Sequence, residues 1–127
     1  MLSNGGFDSS AGWTLDGSFT ISGGVLNVPR ENGAIVSQLE TIMTGPLLVN
    51  TNYRLAFTLN APNGHIDFKV VTVGDDLVTT ASYSTGLQTI NFTTPAAWSY
   101  PAMDKGIGLY VYYSQAGQID NISLIRV

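Results

Sequence analysis

The stretch Asn52–Ala61, "NYRLAFTLNA", alternates strictly. Tyr53, Leu55, Phe57 and Leu59 fall on one side, and Arg54, Ala56, Thr58 and Asn60 on the other. Successive side chains of an extended strand point to opposite faces, whereas a helix needs apolar residues three and four apart. The stretch therefore reads as a strand with one face for a core and one for solvent. At about 25 cal/mol per Å² of apolar area removed from water, rows of this kind supply most of the folding drive.

The same rhythm recurs on both sides of it. Ile66, Phe68 and Val70 oppose His65, Asp67 and Lys69, while Leu109 and Val111 oppose Gly108, Tyr110 and Tyr112. Short runs such as "SFTIS", "VLNV", "AIVSQLETI", "LVTTASY", "LQTINFTT" and "QIDNISLIRV" are separated by Gly, Asn and Pro turn signals. About ten strands at this spacing, with no helix of useful length, indicate an all-β antiparallel sandwich or barrel. No repeat, low-complexity tract or linker divides residues 1–127, so one domain is expected.

Composition excludes several functions. The chain is 44% hydrophobic and 11% charged, so its polar surface must be built from Thr, Ser, Asn, Gln and Gly. With a net charge of −4 and five Lys and Arg, it lacks the basic stripe that nucleic-acid phosphates require. The absence of cysteine removes disulfides, thiolate catalysis and cysteine-held zinc. No run approaches the ~18 apolar residues of a membrane span, and the first residues lack a signal-peptide pattern. His65 is the sole histidine, and neither a G-x-S-x-G elbow nor a phosphate-cradling glycine loop accompanies it. Catalysis is not expected.

The two ends of the chain carry a second signal. In "IDNISLIRV", strict parity places Asp120 on the same face as Ile122 and Leu124, with its carboxylate turned inward. Such a group is costly unless it is paired, hydrogen-bonded or metal-bound. Asp8 follows the candidate core residue Phe7 in "NGGFDSSAGW", Asn4–Trp13. If first and last strands lie side by side, the two carboxylates and loop carbonyls around Asn4, Gly5 and the "RENG" turn form an oxygen-rich pocket. Calcium, with its six to eight oxygen ligands, suits such a pocket. Capping of backbone N–H groups without any metal is the alternative.

"NGGFDSSAGWTL", Gln38, "NYRLAFTL", "TGLQTINFTTP" and "IDNISL", in this order, resemble the jelly-roll carbohydrate-binding modules. These are the non-catalytic, galactose-binding-like domains attached to polysaccharide-degrading enzymes, and related domains occur on phage virions. The resemblance runs nearly end to end and implies a jelly-roll sandwich. It also implies a structural calcium held by Asp8 and Asp120, where Asp stands in place of the family's more frequent Glu.

Sugar recognition needs open aromatic rings. Tyr110 and Tyr112 are expected on the outward face of one strand. Trp98 and Tyr100 lie in "PAAWSYPAMDKG", the longest irregular segment. Gln38, His65, Asp67 and Lys69 are polar neighbours if their faces coincide. With Trp98 on the surface, Trp98→Ala should weaken partner or glycan binding and leave the melting temperature nearly unchanged. The alternative is a loop anchored by folding this ring back onto the sandwich, for which the melting temperature should drop.

Two functions follow. One is a structural component of a phage virion (capsid decoration or tail accessory), assembling in several copies through sheet edges, termini or the Trp98 loop. A charge-poor chain starting at its own Met1 without a leader fits this reading. The other is a glycan-binding module, extracellular, recognising polysaccharide through surface aromatics.

Overall fold

The computed structural model describes residues 2–30, 33–39, 41–62, 64, 66–73, 77–111 and 115–127; the side chains of Ala34, Phe68 and residues 77–83 are also left undescribed. Tyr112, His65 and the "RENG" residues Glu31 and Asn32 lie outside the described residues.

Ten strands form two five-stranded antiparallel sheets, a jelly-roll sandwich. They are β1 (Thr14–Leu15), β2 (Thr20–Ser22), β3 (Val25–Val28), β4 (Ala34–Gln38), β5 (Asn52–Asn60), β6 (Ile66–Thr72), β7 (Leu77–Tyr83), β8 (Gly86–Thr93), β9 (Ile107–Val111) and β10 (Gly117–Arg126). Sheet 1 has the order β1-β4-β9-β6-β7, and sheet 2 the order β2-β3-β10-β5-β8. The β2–β3 hairpin closes through Gly23 and Gly24, with φ of 60° and 77°, the positive pair a two-residue type I′ turn demands.

The alternation of β5 holds throughout. Tyr53, Leu55, Phe57 and Leu59 are buried, and they face Ile66, Val70, Leu109 and Val111 of sheet 1 across the core. Tyr53 brings its hydroxyl inside, where it accepts the Leu48 N–H at 2.9 Å and so ties down the loop before β5. A buried phenol is tolerated because its oxygen is satisfied.

Parity fails in β10. The register against β5 shifts between Asp120 and Ser123, where Asn121 adopts φ of 50°. This β-bulge adds a residue, so Ile119 and Ile122, three apart, both enter the core. Asp120 is accordingly not inward. It pairs with exposed Thr58 on the outer face of sheet 2, is partly exposed, and its Oδ1 accepts the Asn121 N–H at 2.8 Å.

The ends do meet, though not as paired strands. β1 lies at the edge of sheet 1 and β10 in the middle of sheet 2. The contact is made earlier, by the N-terminal loop. β3 pairs with β10 only as far as Ile119, and beyond it the Ile122 N–H donates to Gly5 O at 2.9 Å.

The loop Asn4–Trp13 is organised around Asn4. Its carbonyl accepts the Phe7 N–H at 3.2 Å and the Trp13 Nε1–H at 3.0 Å, and its side-chain amide donates to Ser9 O and Ala11 O. Phe7 is fully buried, its ring centroid 5.3 Å from that of Trp13, although its φ of 55° is unfavourable for a side chain of this size. Burial of the two rings offsets that strain.

Candidate functional site

β9 is the central strand of sheet 1, and its outward residues set the middle of that face. Tyr110 is half-buried there, in register with Ile35 of β4 on one side and Lys69 of β6 on the other. The Lys69 ammonium stands 5.5 Å from the Tyr110 ring centroid, within cation–π range. Tyr110 thus keeps one part of its ring against neighbours and leaves another toward solvent.

One row along, Ser37, Gly108 and Val71 lie opposite one another. Gly108 has no side chain to fill this row, and Ile35 and Val71 close over it: an added Cβ would stand 3.0 Å from Ile35 Cδ1 and 3.1 Å from Val71 Cγ2. This row is itself buried, Ser37 and Val71 each being 6% exposed, so what the face offers beside half-buried Tyr110 is half-buried Ile35, with half-buried Asp67 on the same face of β6. A flat ring beside an aliphatic side chain, with a few charged or polar groups at its margin, can hold the C–H face of a sugar and bond its hydroxyls.

The residues expected from sequence divide into separate places. Tyr110 joins Lys69 and Asp67 on the sheet face. Trp98 and Tyr100 sit instead in the loop leading into β9, which docks at the end of sheet 1. Lys105, 6% exposed, anchors that loop: its ammonium donates to Tyr100 O and stands 5.6 Å from the Trp98 ring centroid. The backbone is fixed by Leu47 N–H to Lys105 O at 2.8 Å and Val73 N–H to Gly106 O at 3.0 Å. Tyr100 and Met103 are exposed, but Trp98 is half-buried and packs against the core. Trp98→Ala is therefore expected to lower stability by about 1–2 kcal/mol, against 3–5 for a fully buried aromatic. A melting temperature unchanged from wild type would show the ring to be surface only.

Gln38 does not belong to any ligand surface. It is wholly buried, its Oε1 accepting the Ser3 N–H at 2.9 Å and its Nε2 donating to Ser3 O at 2.9 Å. The amide thereby imitates a peptide group and pairs the N-terminal segment to the end of β4. The run "AIVSQLETI" stops being a strand at this point, and the Ile42 and Met43 N–H groups both turn back to Leu39 O.

Among the described residues, two shallow hollows of about 350 and 360 Å³ lie at sheet 2. The first is lined by Asn27, Asn60, Pro62 and Gln118, with no aromatic ring. The second borders Tyr53 and Phe92, whose rings stack on each other inside the core at 5.7 Å. Neither offers an open ring.

For calcium, Asp8 and Asp120 flank the Gly5–Ile122 bond in sequence, but the carbonyls of Asn4 and Gly5 already accept protein hydrogen bonds. Among the described residues no three His, Cys, Asp or Glu side chains gather as a metal cluster. These donors fit at most a cation completed largely by water.

No protein-family model matches the chain, and no curated protein matches it. Solved structures do. The N-terminal cellulose-binding domain of Cellulomonas fimi β-1,4-glucanase C superposes with a TM-score of 0.62 at 19% identity, covering 99% of this chain and 96% of that one. A family 61 carbohydrate-binding module solved with β-1,4-galactotriose gives 0.58 at 18% identity, covering 99% and 97%. The enzymatically active domain of tailspike protein 4 from bacteriophage CBA120 gives 0.59 at 17% identity, covering 99% of this chain but 21% of that one. The fold is that of the carbohydrate-binding modules.

Proposed function

We propose that this chain is a non-catalytic module that binds a neutral, β-1,4-linked polysaccharide on the outer face of sheet 1. The observation that carries this reading is Tyr110, a half-buried ring on the central strand of that face, in register with half-buried Ile35 on one side and Lys69 on the other. Lys69, beside the ring, and Asp67, two residues further along the same face of β6, would bond sugar hydroxyls. The shared fold supports it, since the similar modules are described with cellulose and with β-1,4-galactotriose. The net charge of −4 disfavours uronate-rich glycans by repulsion.

Affinity electrophoresis through gels containing soluble cellulose derivatives, galactan or mannan tests it. Wild type is expected to be retarded by at least one of these. Tyr110→Ala is expected to weaken binding at least tenfold, about 1.4 kcal/mol, while Tyr110→Phe keeps the stacking surface and most of the affinity. Full retention of affinity by Tyr110→Ala would overturn the placement of the site.

A second reading, a surface component of a phage virion, is favoured by the tailspike likeness. Co-purification with phage particles, without retardation on any glycan, would select it. Either module would work outside a cell.

Calcium belongs to the proposal as a weak structural ion held by Asp8 and Asp120. With only two carboxylates the ligand charge is low, which puts the ion in the weakest calcium class, about 10⁻⁴–10⁻³ M. At a tenfold excess over its dissociation constant, Ca²⁺ bound only to the native state adds about 1.4 kcal/mol. Melts in millimolar CaCl₂ should therefore exceed those in EGTA, and Asp8→Asn should abolish the difference. Identical melts for wild type would remove the ion.

A further inference from the structure

The four edges of the two sheets are unequal. β1 has two residues and β2 three, whereas β7 has seven and β8 eight. Very short strands, charges, prolines and bulges are the usual means by which an edge avoids pairing with another chain. β1 and β2 are protected by shortness. β8, "GLQTINFT", has no proline, no charge and no register shift against β5 along its whole length.

The surrounding sequence extends this character. From Leu77 to Met103 no residue is charged, although the chain carries fourteen charged side chains elsewhere, five basic and nine acidic. β7 and β8 are consecutive, and each forms one edge of its own sheet. Leu87, which points outward from β8, is 76% exposed, more than any other exposed large hydrophobic side chain among the described residues.

We infer that β8 is an assembly edge whose occupant is β8 of a second copy of this chain, paired antiparallel across a two-fold axis. The two five-stranded sheets numbered 2 then join into one continuous sheet. A two-fold contact brings like residues to like neighbourhoods, so a long uncharged edge lets a chain of net charge −4 meet itself without setting like charges against each other. Opposed residues in an antiparallel pair share a face, so the axis must pass beside one residue and its own copy. In β8 that residue is Thr89 or Ile90. With Thr89 on the axis, Leu87 faces the partner subunit's Asn91; with Ile90 on it, Thr89 does. This contact lies on sheet 2, apart from Tyr110, and stands or falls independently of the glycan reading.

Sedimentation equilibrium of the whole chain from micromolar to near-millimolar concentration tests the inference. Wild type is expected to dimerise, approaching twice its 13.5 kDa mass. Thr89→Lys combined with Asn91→Lys sets lysine against lysine in either register and should weaken association at least thirtyfold. Thr20→Lys, on the short edge β2, should leave the dimer intact. Amide hydrogen exchange on the unmutated protein gives a second measure that does not depend on how a variant folds: alternate β8 amides should become protected as concentration rises. A wild type that stays monomeric throughout, a double lysine variant that still dimerises, or β8 exchange independent of concentration would each overturn the inference.

Discussion

Gly5→Ala is expected to lower stability by about 3 kcal/mol, while Gly6→Ala, one residue on, is expected to stay within about 0.5 kcal/mol of wild type. A Cβ on Gly5 would stand 2.1 Å from Ile122 O and 3.3 Å from its carbonyl carbon, whereas one on Gly6 would meet nothing within 4 Å. The obstructing atoms are backbone, held by the β10 bulge and by pairing with β5, so no side chain can swing aside. Either the loop or the bulge must move, and the Ile122 N–H to Gly5 O bond is then lost. That bond is worth about 1 kcal/mol net, and overpacking adds about 1–3 more. Displacement also disturbs Phe7, two residues along and fully buried. For a chain of this length the loss corresponds to a fall of roughly 10–15 °C in melting temperature. Thermal melts of the two variants side by side decide the matter: equal melting temperatures would mean that the head and tail of the chain are not locked at Gly5.

How much of this was legible in the sequence depends on whether the deciding interaction is local. The alternation in β5 is a property of consecutive residues, and the core rows of β5, β6 and β9 follow from it directly. Tyr110 on an outward face follows in the same way. Asp120 does not, because one extra residue at a bulge reverses every later side chain, and nothing but the left-handed tolerance of Asn121 announces it. β1 is only two residues long and exists because β4 offers it a partner, so no pattern within Thr14–Leu15 could reveal it. Trp98 illustrates a different limit. Its segment is irregular and polar enough to suggest a free loop, yet the buried Lys105 ammonium needs both a carbonyl and an electron-rich ring nearby, and the loop supplies Tyr100 O and Trp98.

Gln38 is the residue whose chemistry sequence reasoning placed furthest from its role, and it gives the most discriminating stability series. Gln38→Leu keeps much of the volume but leaves the Ser3 N–H and C=O without their partner, each a loss of about 1–3 kcal/mol for a buried group and less here because Ser3 itself is exposed. A net cost of about 2–3 kcal/mol is expected. Gln38→Glu separates the two bonds. At neutral pH its carboxylate still accepts the Ser3 N–H, but it has no proton for Ser3 O, and a fully buried negative charge lies against a carbonyl. The cost should exceed that of Leu. Burial favours the neutral acid, so the folded-state pKa of the introduced carboxyl rises above its unfolded value of about 4.3. Between those two values the native state holds the extra proton, and stability must fall as pH rises. Below about pH 4.3 both states are protonated, the acid O–H can donate to Ser3 O, and the difference from wild type should shrink toward that of a neutral substitution. Denaturant unfolding of the Glu and Leu variants at pH 4 and pH 7, each referenced to wild type at the same pH, is expected to show a pH-dependent penalty for Glu and a constant one for Leu. Parallel behaviour of the two would place the Gln38 amide in water rather than against the N-terminal segment, and the latch between β4 and the head of the chain would not exist.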